Sequence, residues 1–210
     1  GLSWLGTFHS ISAKLLRKHA DAVGLKSNFT IIDQNDQERL IKNICKAENV
    51  DTKKISPKYI LAVIDKWKNK GLYPGDVILK KNNPLEKNFL EIYKIYQKKL
   101  TDLNATDFSD LILHVVKIFE KYSDISELYS RKFKYILVDE YQDTNFIQSE
   151  WLKHLSQYNK NICCVGDDDQ SIYSWRGAEI KNFLEFDKTY KNTKIVRLER
   201  NYRSTQNILS

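Results

Sequence analysis

Three short apolar runs, separated by stretches of helical spacing, constrain this chain most. They are Tyr135-Ile136-Leu137-Val138, Ile162-Cys163-Cys164-Val165 and Ile195-Val196-Arg197-Leu198. Short runs rich in β-formers, bounded by polar residues, read as buried strands. Between the first two lies a helix carrying Phe146, Trp151 and Leu155, and a second helix is expected around residues 179–186. Strands alternating with helices predict an α/β fold with a parallel sheet covered on both faces. In such sheets ligands collect at the carboxyl ends of strands. Here those ends are Asp139-Glu140 and Gly166-Asp167.

The rest of the chain reads as helical. Ile11, Leu15 and Leu16 share a face over residues 7–22, leaving Lys14, Arg17 and Lys18 to the other. Residues 26–107 are expected to form helices with polar breaks and no strand. Asp33 precedes a helix with Leu40, Ile41 and Ile44. Ser56-Pro57 is an N-cap with proline in the first turn. A loop at Gly71–Gly75 precedes a long helix bearing Phe89, Ile92, Tyr93 and Tyr96, and Asp107 caps a helix with Leu111, Ile112, Val115 and Phe119. The net charge is +7, and residues 26–107 hold 16 Lys/Arg against 11 Asp/Glu. That surplus suits a polyanion such as nucleic acid, or simply Lys-rich solvated helix faces.

No apolar run approaches the length of a membrane span, and the start lacks a secretory layout. Cys45, Cys163 and Cys164 cannot all pair; with two of them adjacent in an apolar run, buried free thiols in a reducing cytoplasm are expected.

The strand ends carry the chemistry. Two carboxylates at one tip can divide the labour of phosphoryl transfer: Asp139 can hold Mg²⁺, and Glu140 can take or orient the proton of an attacking water. A solvated acidic turn is the alternative for that dipeptide alone. Downstream stands Val165-Gly166-Asp167-Asp168-Asp169-Gln170-Ser171-Ile172-Tyr173-Ser174-Trp175-Arg176-Gly177-Ala178. Gln170 can hydrogen-bond a terminal phosphate. Trp175 can stack on a base, and Arg176 can pair with a phosphate.

With Gly6-Thr7-Phe8-His9-Ser10, Asp139-Glu140-Tyr141-Gln142-Asp143, the Val165–Ala178 block and Leu198-Glu199-Arg200-Asn201-Tyr202-Arg203-Ser204, the sequence resembles the UvrD/Rep/PcrA group of superfamily I DNA helicases across essentially its whole length. The resemblance implies a P-loop NTPase (RecA-like) motor domain built from residues 1–25 and 107–210, with a helical insertion subdomain at 26–106. It implies ATP and Mg²⁺ as cofactors, single-stranded and partly duplex DNA as partner, and 3′-to-5′ translocation. By position, Asp139 would ligate the metal and Glu140 would be the general base. Gln170 and Arg203 would meet the γ-phosphate. Tyr173, Trp175 and Arg176 would meet single-stranded DNA, and Thr7, Phe8, His9 and Ser10 would lie along the strand path. Asp107 keeps its plain reading as a cap, and Asp143 would order the switch loops rather than bind metal.

The family's phosphate loop, Gly-x-x-x-x-Gly-Lys-Ser/Thr, has no counterpart string among the 210 residues, and the chain has no methionine. The expectation is therefore an incomplete motor domain. The phosphate loop would come from an upstream segment and a further arginine from a second motor domain of the same parent. The isolated chain is expected to lack ATP hydrolysis, and its sheet to expose apolar surface. The alternative is a truncated, non-catalytic gene product that retains single-strand DNA binding.

Overall fold

The computed structural model describes residues 4–51, 55–79, 83–173, 177–200 and 204. Its helices are α1 (Phe8–Lys18), α2 (Gln34–Ala47), α3 (Pro57–Asn69), α4 (Pro84–Asp102), α5 (Phe108–Lys121), α6 (Ser123–Lys132), α7 (Phe146–Ser156), α8 (Ile180–Leu184) and α9 (Phe186–Thr189). Two parallel pairs of strands accompany them: β1 (Thr30–Ile31) with β2 (Ala105–Thr106), and β3 (Ile136–Val138) with β4 (Ile162–Cys164). No helix among the described residues is long and apolar enough to cross a membrane.

Side-chain caps start the helices where their sequences predict. Asp33, Ser56 and Asp107 each accept a hydrogen bond from the amide three residues on. Each satisfies one of the amides that a helix start leaves without an intrahelical partner. Asn145 and Gln148 reciprocate as a capping box at the start of α7.

The buried apolar residues form two clusters. One gathers Leu15 and Leu16 of α1, most of α5, and Trp151, Leu152 and Leu155 of α7. α5 lies at its centre and is buried along most of its length, with Asp110 and His114 among its buried residues. The second cluster joins Ile41 and Ile44 of α2, Ile60 and Ile64 of α3, and Phe89, Tyr93 and Tyr96 of α4. Trp67 and Tyr93 stack there with ring centres 5.9 Å apart.

An ionic knot joins the clusters. Lys68 of α3 is fully buried, with its Nζ 2.6 Å from Asp107 Oδ2 and 2.9 Å from Asp110 Oδ2. The Tyr96 hydroxyl donates to Asp107 at 2.9 Å and Gln97 Nε2 donates to Asp110 at 2.8 Å. Burial works against charge on Lys68, but Asp107 and Asp110 outweigh it and hold its pKa above the ordinary value. Asp107 is therefore the expected cap and also a counter-ion to a residue 39 positions away.

Several expectations need correction. Residues 26–107 are not wholly strandless, because Thr30–Ile31 pairs with Ala105–Thr106. Two-residue strands leave no periodicity to read. Ile195–Leu198 forms no strand; Ile195, Val196 and Leu198 are exposed and irregular. The helix expected at 179–186 is two short helices meeting at Glu185. Cys163 is exposed rather than buried, while Cys45 is buried and all three thiols are free. Adjacent strand residues face opposite ways, and the outer face of the β3–β4 pair is open, with Leu137 81% exposed beside Cys163.

Candidate functional site at the strand tips

β3 and β4 run parallel in the register Ile136↔Ile162, Leu137↔Cys163, Val138↔Cys164. Their carboxyl ends therefore share one edge of the sheet. The pairing continues past the strands: Val165 N donates to Val138 O at 2.8 Å, and Tyr141 N donates to Val165 O at 2.9 Å. These bonds bring Asp139-Glu140 beside Gly166-Asp167.

The turn after β3 is held in an unusual conformation. Glu140 has φ 52° and ψ 41°, a left-handed conformation rare for a residue with a side chain. Such conformations cluster where a structure fixes a functional group. The Glu140 amide donates to Asp139 Oδ1 at 2.9 Å. A single 3-10 turn, Tyr141–Asp143, follows, and Thr144 Oγ1 closes it by donating to Tyr141 O at 2.8 Å. The amide of Glu179 and the side chain of Asn182 both donate to Thr144 O, which ties the start of α8 to this turn.

Gln142 connects the two tips. Its side chain is 1% exposed; Nε2 donates to Glu140 Oε2 at 2.7 Å and Oε1 accepts from the Asp167 amide at 3.1 Å. Gly166 leaves the space that this requires: a Cβ there would come within 2.6 Å of Gln142 Oε1 and 2.8 Å of the Phe183 ring. Beyond it, Asp167 accepts from the Asp169 amide at 3.0 Å, and Gln170 Nε2 donates to Asp167 Oδ2 at 2.6 Å. Asp143 has a shielded Oδ1 without a hydrogen-bond partner, and burial with the nearby charge of Glu140 raises its pKa.

Of the residues expected from sequence, the structure brings Asp139, Glu140 and Gln170 to this edge. Asp139 and Glu140 have exposed side chains, as does Gln170. Among the described residues no three His, Cys, Asp or Glu side chains converge as a metal cage. One exposed carboxylate still suits Mg²⁺, which keeps several waters and is commonly held by one or two carboxylates together with substrate phosphates.

Tyr173 is half-buried and its carbonyl accepts from the Ala178 amide at 3.2 Å. Trp175, Arg176 and Arg203 lie outside the described residues. The Thr7–Ser10 segment sits at the start of α1, against α5 and α7. Thr7 caps the helix by accepting from the Ser10 amide at 3.2 Å, and Ser10 Oγ donates to Thr7 O at 2.9 Å. Phe8 packs edge-on against Trp151, and His9 against Phe108, at 5.5 and 5.9 Å between ring centres. Burial lowers the pKa of His9, favouring the neutral ring. The exposed ring of Phe108 also lines a cleft of about 400 Å³ with Gln34, Gln37, Lys58 and Asp65.

Sequence reasoning placed Asp167 at a strand end without giving it a role, and it missed Gln142. The available signal was a glutamine inside an otherwise acidic turn, two residues after a carboxylate.

Comparison with known proteins shows the family of the chain. The UvrD/REP helicase N-terminal domain family matches residues 2–191. A protein of Rickettsia typhi named DNA helicase II is 47% identical over 210 residues, covering 98% of this chain and 32% of that protein. The ATP-dependent DNA helicase PcrA of Staphylococcus epidermidis is 45% identical over 207 residues, covering 99% of this chain and 28% of its own. PcrA of Staphylococcus aureus is 44% identical over 207 residues, with the same coverage. The chain thus spans less than a third of the length of these curated relatives.

Proposed function

The chain belongs to the UvrD/REP helicase family, and from that premise we propose that it is the water-activating part of an ATP-driven, 3′-to-5′ single-strand DNA translocase. The observation that carries this reading is the shared strand edge, where Asp139 and Glu140 stand beside the Asp167–Gln170 turn. Phosphoryl transfer asks a protein to position water and to stabilise charge as it develops. Mg²⁺ would supply charge neutralisation for the phosphates, and Asp139 is the residue that would hold it. Glu140 accepts the proton of the attacking water. Gln170, parked on Asp167 in this structure, has a side-chain amide that can turn to a terminal phosphate. Arg203 supplies positive charge to the same phosphate.

The two apolar clusters support a division into a motor part, residues 1–25 and 107–210, and a helical insertion, 26–106. The motor part is an incomplete RecA-like domain. No phosphate-loop string occurs in the 210 residues, so in this reading the amides and lysine that grip ATP belong to another part of a longer protein, as does a second motor domain. Tyr173, Trp175 and Arg176, together with the Thr7–Ser10 segment beside the exposed Phe108 ring, supply the single-strand surface.

A second reading, a non-catalytic single-strand binder, is favoured by the same absent loop string. Both readings predict DNA binding by the chain. Oligo-dT should quench its tryptophan fluorescence, with affinity falling as salt rises. Quenching unchanged in Trp175→Ala would remove that residue from the interface. The readings part in the longer protein, where single-strand-stimulated ATP turnover supports the motor and its absence supports the bare binder.

A further inference from the structure

The geometry points to Gln142 as a positioning residue for Glu140, tying the proposed base to the turn that carries Gln170. This rests on the hydrolytic reading above and goes beyond it, since it concerns a residue with no assigned contact to water, metal or phosphate.

Three observations converge on this residue. Gln142 is among the least exposed polar side chains, at 1%, although it lies in an acidic turn between two exposed strand tips. Both ends of its amide are used, and the two partners fix its orientation. A carboxylate oxygen of Glu140 only accepts, and the Asp167 amide only donates, so Nε2 must face the first and Oε1 the second. Finally, the surroundings reserve room for it. Gly166 has no Cβ to collide with Oε1, and the left-handed backbone at Glu140 folds the chain back so that a side chain two residues on can reach the carboxylate.

A continuous path of hydrogen bonds results. Glu140 accepts from Gln142, Gln142 accepts from the Asp167 amide, and Asp167 accepts from Gln170. Glu140 has an exposed side chain on a tight turn and would otherwise sample several rotamers. The bond from a buried amide selects one of them. The same amide sets the distance of Glu140 from the β4 tip. A shift of the Asp167–Gln170 turn, when Gln170 gains or loses its phosphate, therefore changes where Glu140 stands.

Two experiments test this. In the 210-residue chain, Gln142→Glu sets two carboxylates against each other while keeping an acceptor for the Asp167 amide. It should lower Tm. Adding Glu140→Gln reverses donor and acceptor and restores the bond, so the double variant should recover more than half of that loss. Purely additive Tm changes would overturn the contact. In the longer protein, Gln142→Met removes both hydrogen bonds at similar volume. Its kcat for ATP should fall on the order of 100-fold, as expected for a displaced catalytic group, while KM for ATP moves less than about 3-fold. A kcat equal to the parent's would overturn the positioning role. If Gln142→Met does not fold, the reversed pair still decides the contact. Glu140→Gln alone separates the two levels. If it keeps full turnover, the hydrolytic reading fails; if it abolishes turnover while Gln142→Met does not, the positioning inference alone fails.

Discussion

At the scale of the residue, the site depends on small groups next to the obvious ones. Gly166 is a clear case. Ala there would push on Gln142 Oε1 and on the Phe183 ring, both of which face the bare Cα. Gly166→Ala should raise hydrogen exchange at the Asp167 amide, whose acceptor is displaced, and cost about 1–3 kcal/mol of stability in denaturant unfolding. Asp65 makes a second case, with a pH signature. Burial first, then the negative charge of Asp107, pushes its pKa up to about 6, against the opposing pull of Lys68 and a hydrogen bond from Ser109. A carboxyl raised in the folded state favours folding while it is protonated. That contribution is full below the unfolded pKa near 4 and is lost as pH rises through about 6. Asp65→Asn should therefore stabilise the chain by about 1–2 kcal/mol at pH 8 and leave it nearly unchanged at pH 3.5. An equal gain at both pH values would show that the charge is not the cause. The sequence marked Asp139 and Glu140 as candidates only together with the Val165–Ala178 block, because a solvated acidic turn accounts for the dipeptide alone. For Gln142 it offered only a glutamine inside an acidic turn, and nothing local tells a buried glutamine from a solvated one.

At the scale of the element, capping residues and helical periodicity were read directly from sequence, and pairings were not. Asp33, Ser56 and Asp107 announce their helices through chemistry confined to three or four residues. The β1–β2 pair joins residues some 75 positions apart and is two residues long, so it leaves no local trace. Ile195–Leu198 fails the other way: its β-forming composition is clear, yet the structure gives it no strand neighbour and leaves it exposed. Composition proposes a strand; pairing makes one. The Lys68 knot is likewise invisible in sequence. It joins α3 to α5 through two carboxylates. Lys68→Met should destabilise the chain by about 3–5 kcal/mol at pH 7, because it strands two buried acids. Burial alone would raise the pKa of Asp110, but Lys68 and His114 more than offset this and lower it. Its stabilising contribution is therefore present above the unfolded pKa near 4 and is lost as pH falls through the lower folded value. The deficit of Lys68→Met, followed by urea unfolding, should accordingly shrink in acid, where the stranded carboxylates can protonate. A deficit independent of pH would assign it to lost packing of the lysine stem.

At the scale of the whole molecule, the acids after β3 and the Asp167–Gln170 turn share an edge, Phe8 and His9 of α1 lie against Trp151 of α7 and Phe108 of α5, and an open apolar sheet face lies behind the acids. Leu137 and Cys163 on that face are exposed. The basic surplus sits largely in the segment bounded by the second apolar cluster. On the proposed reading, this arrangement belongs to a part that activates water for phosphoryl transfer. The central claim is that Glu140 is the base of an ATP-driven motor. It is tested most directly by single-strand-stimulated ATP turnover in the longer protein, measured alongside ATP binding. Glu140→Gln should reduce turnover by at least about 100-fold, the low end of the loss expected for a general base, while ATP still binds. Turnover within about 3-fold of the parent's, with ATP bound normally, would contradict the account.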